Sequence, residues 1–193
     1  MIMDFPSGIG EYFLSVLGMI LFVIIVFTLI GFGIVLIGKN FIGGVGISYE
    51  QLAQAASNTE ATKAFVNSLN YEQLVKINMW NLLAFCSLSV GYFVLMLYPA
   101  VIFFKEKNPF KAFFISLKDT FSHRFFKNIA LFLLISVVYM IISLGTVLLG
   151  KNIILHFVFT LLNFYYITYV GVLLCNYYYS NFIKKGSNID TTV

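Results

Sequence analysis

Charge is what this chain has least of. Only 10% of its 193 residues are Asp, Glu, Lys or Arg, against about 25% in a soluble protein. Arg124 is the single arginine among twelve basic residues. Bidentate arginine is the favoured reader of phosphates and base edges, so nucleic acid is not expected as a partner. Cysteine is nearly absent too. Cys86 and Cys175 both fall in apolar runs, which is no disulfide framework, and they read as free thiols packing like small hydrophobes. Met1 to Gly10 holds no Lys or Arg. A secretory signal wants a basic n-region, so the first apolar run is expected to stay in the mature protein. Cys-x-x-Cys, His-Glu-x-x-His and a Gly-rich phosphate loop are all missing. The expectation is a non-enzymatic chain without metal or cofactor.

What fills the space is apolar. Hydrophobic types make up 60% of the sequence, with 22 Phe and 12 Tyr. A soluble globule of this size could not cover such a core with so few charges, so the solvent is a bilayer. Crossing its hydrocarbon takes about 20 apolar residues. Four segments qualify: about 12–37, 77–104, 129–149 and 153–182. Gly150, Lys151 and Asn152 between the last two suit a tight helical hairpin. The fold expected is all-α integral membrane, one domain over 1–193, with four transmembrane helices.

Basic residues near the span ends orient the chain. Lys105, Lys107, Lys111, Lys118, Arg124, Lys127, Lys184 and Lys185 put eight on one side, against Lys39, Lys63, Lys76 and Lys151 on the other. Both termini and the 105–128 segment are therefore expected in the cytoplasm, with the protein in the plasma membrane.

Each connection has its own pattern. In the outer loop, 38–76, Ser48 with Gln51 and Asn70 with Gln73 have capping-box spacing, and the alanines between them favour helix. Ser57-Asn58-Thr59 is placed to break that helix in two, giving a small helical cap. Tyr49-Glu50-Gln51-Leu52 recurs as Tyr71-Glu72-Gln73-Leu74, as two similarly capped helix starts would. In the inner segment, Asn108 and Pro109 look like an N-cap and first helical residue. Phe110, Phe113, Phe114, Leu117 and Phe121 then share one helical face, with Lys111, Lys118 and Asp119 away from it. That describes an amphipathic helix in the membrane interface. Its lysines, with Lys105, Lys107, Arg124 and Lys127, are expected to meet anionic inner-leaflet lipid.

No carboxylate lies inside a span, which argues against a proton-coupled pump. Uncharged polar groups do. Asn81, Tyr139, Ser143, His156, Thr160, Asn163 and Tyr166 are either packing groups between helices or the lining of a polar path or ligand pocket. Pro99 is expected to kink the second span. Tyr177-Tyr178-Tyr179 with Lys184-Lys185 reads as an aromatic belt with a basic anchor.

From Tyr98-Pro99 through Lys105–Lys107, Pro109 to Phe121 and on to Tyr177–Tyr179, about half the chain, the pattern resembles a group of prokaryotic polytopic membrane proteins. The group includes the membrane domain that accompanies some glycerophosphodiester phosphodiesterases. The resemblance implies an accessory membrane protein and carries over no catalytic residue. The bias toward Phe, Ile, Asn, Tyr and Lys looks bacterial. Two functions are expected to compete: a structural or accessory protein in envelope assembly or lipid handling, or a transporter subunit docking a cytoplasmic ATPase through its amphipathic helix. A homo-oligomer or a membrane-complex partner suits either.

Overall fold

A computed structural model describes residues 5–149 and 152–184, and these contain helices and turns with no strand. The protein is an all-α, multi-pass membrane protein, with four stretches long and apolar enough to cross a bilayer: Tyr12–Phe41, Tyr71–Phe104, Phe125–Leu149 and Ile153–Ile183.

The first apolar run extends into a 37-residue helix, α1 (Phe5–Phe41). It stops where Gly43 takes φ +78°, a conformation glycine adopts without a Cβ penalty. Ile42 and Gly43 both donate to the Gly38 carbonyl there. Two short helices follow, α2 (Tyr49–Ala55) and α3 (Thr59–Ser68). The α2 cap is the one the spacing predicts, and the break expected at Ser57-Asn58-Thr59 supplies the α3 cap. Ser48 and Gln51 form a reciprocal capping box, and Asn58 caps α3 through the Ala61 amide. Asn70 and Gln73 repeat the reciprocal pair at the start of α4 (Tyr71–Leu95). The recurring tetrapeptide is thus the first turn of two helices.

The second span is not one kinked helix. It breaks at Met96–Leu97 and restarts as α5 (Tyr98–Phe104), with Pro99 in the first turn. A proline lacks the N–H that an interior position must donate, and a first turn has no use for it. Asn108 caps α6 (Pro109–Thr120), its Oδ1 accepting from the Phe110 and Lys111 amides. The third span begins four residues before the expected Ile129, as α7 (Phe125–Leu149). Gly150 and Lys151 of the expected hairpin turn lie outside the described residues. Asn152 caps α8 (Ile153–Tyr178) through the Ile154 and Leu155 amides. A π-helical turn, Tyr179–Ile183, continues it.

The chain divides into two compact units, Met1–Val23 with Tyr92–Val193, and Ile24–Gly91. In the second, Trp80 packs its ring on Gly38 and donates its indole N–H to the Gly43 carbonyl at 3.1 Å. In the first, α7 and α8 pair closely. The Phe159 ring occupies the space a side chain at Gly145 would need, and the Tyr166 hydroxyl donates to the Ile135 carbonyl at 2.6 Å.

Burial in that unit concentrates where α5, α6 and the end of α8 meet. Leu97, Tyr98, Ala100, Val101 and Ile102 are enclosed, as are Ala112 and Tyr178. Long stretches of α1, α7 and α8 instead expose Leu, Ile and Phe. Water would penalise such surface, whereas hydrocarbon does not.

Candidate functional site

The α5–α6–α8 junction is also where polar side chains converge, and α6 explains how. Its enclosed residues are Ala112, Ser116 and Thr120, spaced i, i+4 and i+8. This adds a packing face that the apolar periodicity did not identify. The phenylalanine face is not the packing face, because small side chains let α6 approach α5 more closely than phenylalanines would. The aromatic residues instead divide. Phe113 and Leu117 are half-buried, whereas Phe110, Phe114 and Phe121 stay exposed. Phe113 lies 4.7 Å from Phe22 of α1 and 6.0 Å from Tyr98, between ring centroids. Phe121, which follows the last turn of α6, meets Phe93 and stacks on Phe125.

Asp119 departs from the helical pattern. The helical pattern places it with the outward lysines, yet its side chain is only 13% exposed. Its Oδ2 accepts from the Tyr178 hydroxyl at 2.7 Å and from Lys105 Nζ at 3.3 Å. Asn128, fully enclosed near the start of α7, donates through Nδ2 to the Thr120 carbonyl at 2.8 Å and the Asp119 carbonyl at 3.3 Å. Its Oδ1 accepts from the Tyr177 hydroxyl at 2.7 Å. Two neighbouring tyrosines of α8 thereby hold α6 and α7, since successive residues of a helix point about 100° apart.

The π turn completes the cluster. Arg124 donates to Asn181 Oδ1, and Asn181 Nδ2 donates back along the helix to the Tyr177 carbonyl at 2.9 Å. The Arg124 guanidinium also lies 5.3 Å from the centre of the Phe182 ring and donates through Nε to His123 Nε2 at 3.1 Å. Tyr98 adds one more tie, its hydroxyl donating to the Pro109 carbonyl at 3.0 Å.

The other expected basic residues behave differently. Lys107 sits 5.0 Å from the centre of the Tyr12 ring. Lys111, Lys118 and Lys127 are exposed.

The expected polar path is gathered less fully. Tyr166 reaches α7 as described. Thr160 turns its hydroxyl to the His156 carbonyl of its own helix at 2.8 Å, and His156 itself is exposed. Ser143 is half-buried and Tyr139 exposed on α7. Asn163 is half-buried, with its Oδ1 enclosed and without a hydrogen-bond partner. Asn81 is exposed on α4 and belongs to the Ile24–Gly91 unit.

Sequence reasoning overlooked Asp119, Asn128 and Asn181 as members of one cluster, and read Tyr177 and Tyr178 as belt residues. One signal was available in the only acid between Pro109 and Lys127, standing among cations. Among the described residues, no three His, Cys, Asp or Glu side chains converge as metal ligands would. Comparisons with protein-family models, curated proteins and solved structures gave no significant match.

Proposed function

We propose that this chain is a non-enzymatic accessory or structural protein of a bacterial plasma membrane, acting in envelope assembly or lipid handling. The observation carrying this reading is where six of the junction's polar side chains end, beside the enclosed Ser116 and Thr120 hydroxyls, which have no partner. Asp119, Asn128, Tyr177, Tyr178, Arg124 and Asn181 each bond to another element of the same chain or to one another. Groups committed to joining helices are scaffold, and in lipid such bonds hold helices together where the hydrophobic effect does not. The lysine-rich 105–128 connection and both termini belong on the cytoplasmic side by the excess of basic residues there.

A transporter subunit is the second reading, and one feature favours it. The helix α6 is tied to α5 through Tyr98 and to α8 through Asp119, so a force on α6 would reach a span. Purification from native membranes in mild detergent separates the two readings. The accessory reading expects the chain alone, as a homo-oligomer or with other membrane proteins, retaining phospholipid. A stoichiometric soluble ATPase would overturn it in favour of transport.

A further inference from the structure

The outward side of α6 is composed in a way its packing does not require. Phe110, Phe114 and Phe121 are 61%, 67% and 54% exposed, and Lys111 and Lys118 are exposed beside them. At 100° per residue the three phenylalanines occupy one narrow arc and the two lysines the next. The acid of this helix, Asp119, is turned away from both and bonded to Tyr178. The exposed arc is therefore aromatic and then cationic, with no negative charge.

Its level relative to the spans is fixed by ring contacts. Phe110 meets Phe22 of α1 at 5.6 Å, and Phe121 meets Phe93 near the end of α4 and Phe125 at the start of α7. The lowest turn of α7 also carries Phe126, which is exposed. Thus α6 lies beside the first half of α1, with its far end near the last turn of α4 and the first turn of α7. A water-facing helix has no need of exposed phenylalanine there, and a hydrocarbon-embedded one would not carry two lysines. The headgroup layer accommodates both, with rings toward the acyl chains and ammonium groups among phosphates.

We propose that this arc of α6 is a contact surface for the headgroup layer of an anionic bilayer, with Phe110, Phe114 and Phe121 inserted and Lys111 and Lys118 on lipid phosphates. The assignment does not depend on the accessory or the transport reading.

The test uses the full chain with Cys86→Ala and Cys175→Ala, in nanodiscs of phosphatidylcholine alone or mixed with phosphatidylglycerol. Spin labels at Phe114→Cys and at Lys118→Cys report collisions with oxygen, which favours lipid, and with a water-soluble nickel chelate. The proposal expects the 114 label below the phosphates and the 118 label level with them. In parallel, the cysteine-free protein should enrich spin-labelled phosphatidylglycerol over phosphatidylcholine. That preference should fall on adding Lys111→Gln and Lys118→Gln, by up to about fivefold for each lysine close to the surface, and it should weaken in high salt. Nickel-accessible labels at both positions would overturn the proposal, as would a lipid preference indifferent to both lysines.

Discussion

The Tyr178 hydroxyl donates to the Asp119 carboxylate at 2.7 Å, joining residues 59 positions apart. Asp119 also receives Lys105 at 3.3 Å, so an acid is held at the junction with one cation and one neutral donor. A buried carboxylate stripped of such partners is costly. Removing Tyr178 should therefore harm the fold more than removing the more exposed Lys105.

Asn128 makes a sharper case. Asn128→Leu keeps the size but strands the Tyr177 hydroxyl and the Thr120 carbonyl, both half-buried or deeper. Each unsatisfied group costs about 1–3 kcal/mol. The expected outcome is a loss of several degrees in melting temperature in detergent. Tyr177→Phe, which frees only Asn128 Oδ1, should lose less.

Tyr98 separates hydrogen bonding from volume. Tyr98→Phe removes only the bond to the Pro109 carbonyl and should cost about 1 kcal/mol. Tyr98→Ala also empties a fully enclosed site and should cost about 3–5 kcal/mol. Equal thermal stability of the two variants would mean that the ring does not fill the junction.

Much of this architecture was legible in the sequence, and the exceptions share a cause. Caps at Ser48, Asn70 and Asn108 are local, each set by a side chain and an amide within three residues, so spacing alone finds them; Asn58 and Asn152, read as break and turn residues, cap in the same local way. The four spans follow from hydropathy. Asp119 and Asn128 were not legible in that way, because their partners lie on other helices and only tertiary packing says which side of a helix faces in. The phenylalanine arc was legible as an apolar face, but the face that packs was not. Periodicity identifies an apolar face, but in a membrane protein that face can point to lipid while Ala112, Ser116 and Thr120 do the packing.

Close approach in the α7–α8 hairpin is testable by a suppressor. A Cβ at residue 145 would collide with the Phe159 ring, so Gly145→Ala should destabilise the protein. Adding Phe159→Leu should restore much of the loss. Failure of any rescue, with the single substitution harmful, would show that the hairpin is not closed by this pair.

Sidedness rests on eight basic residues against four and an even number of spans. In intact cells carrying Cys86→Ala and Cys175→Ala, an impermeant thiol reagent should modify Ser57→Cys and leave Ser187→Cys untouched. Labelling of both would require an odd span count, and the reverse pattern would invert the topology.

The central claim is that the junction's polar groups fasten helices to one another, and a double-mutant cycle on Asp119 and Tyr178 tests it most directly. Asp119→Asn, Tyr178→Phe and the double variant would be compared by unfolding free energy in one detergent. If the pair is a fastening, its members share one interaction, and the double variant should be less destabilised than the sum of the singles by about 0.5–3 kcal/mol. Additivity within about 0.5 kcal/mol would show that the two residues stabilise the protein independently, and would contradict the account.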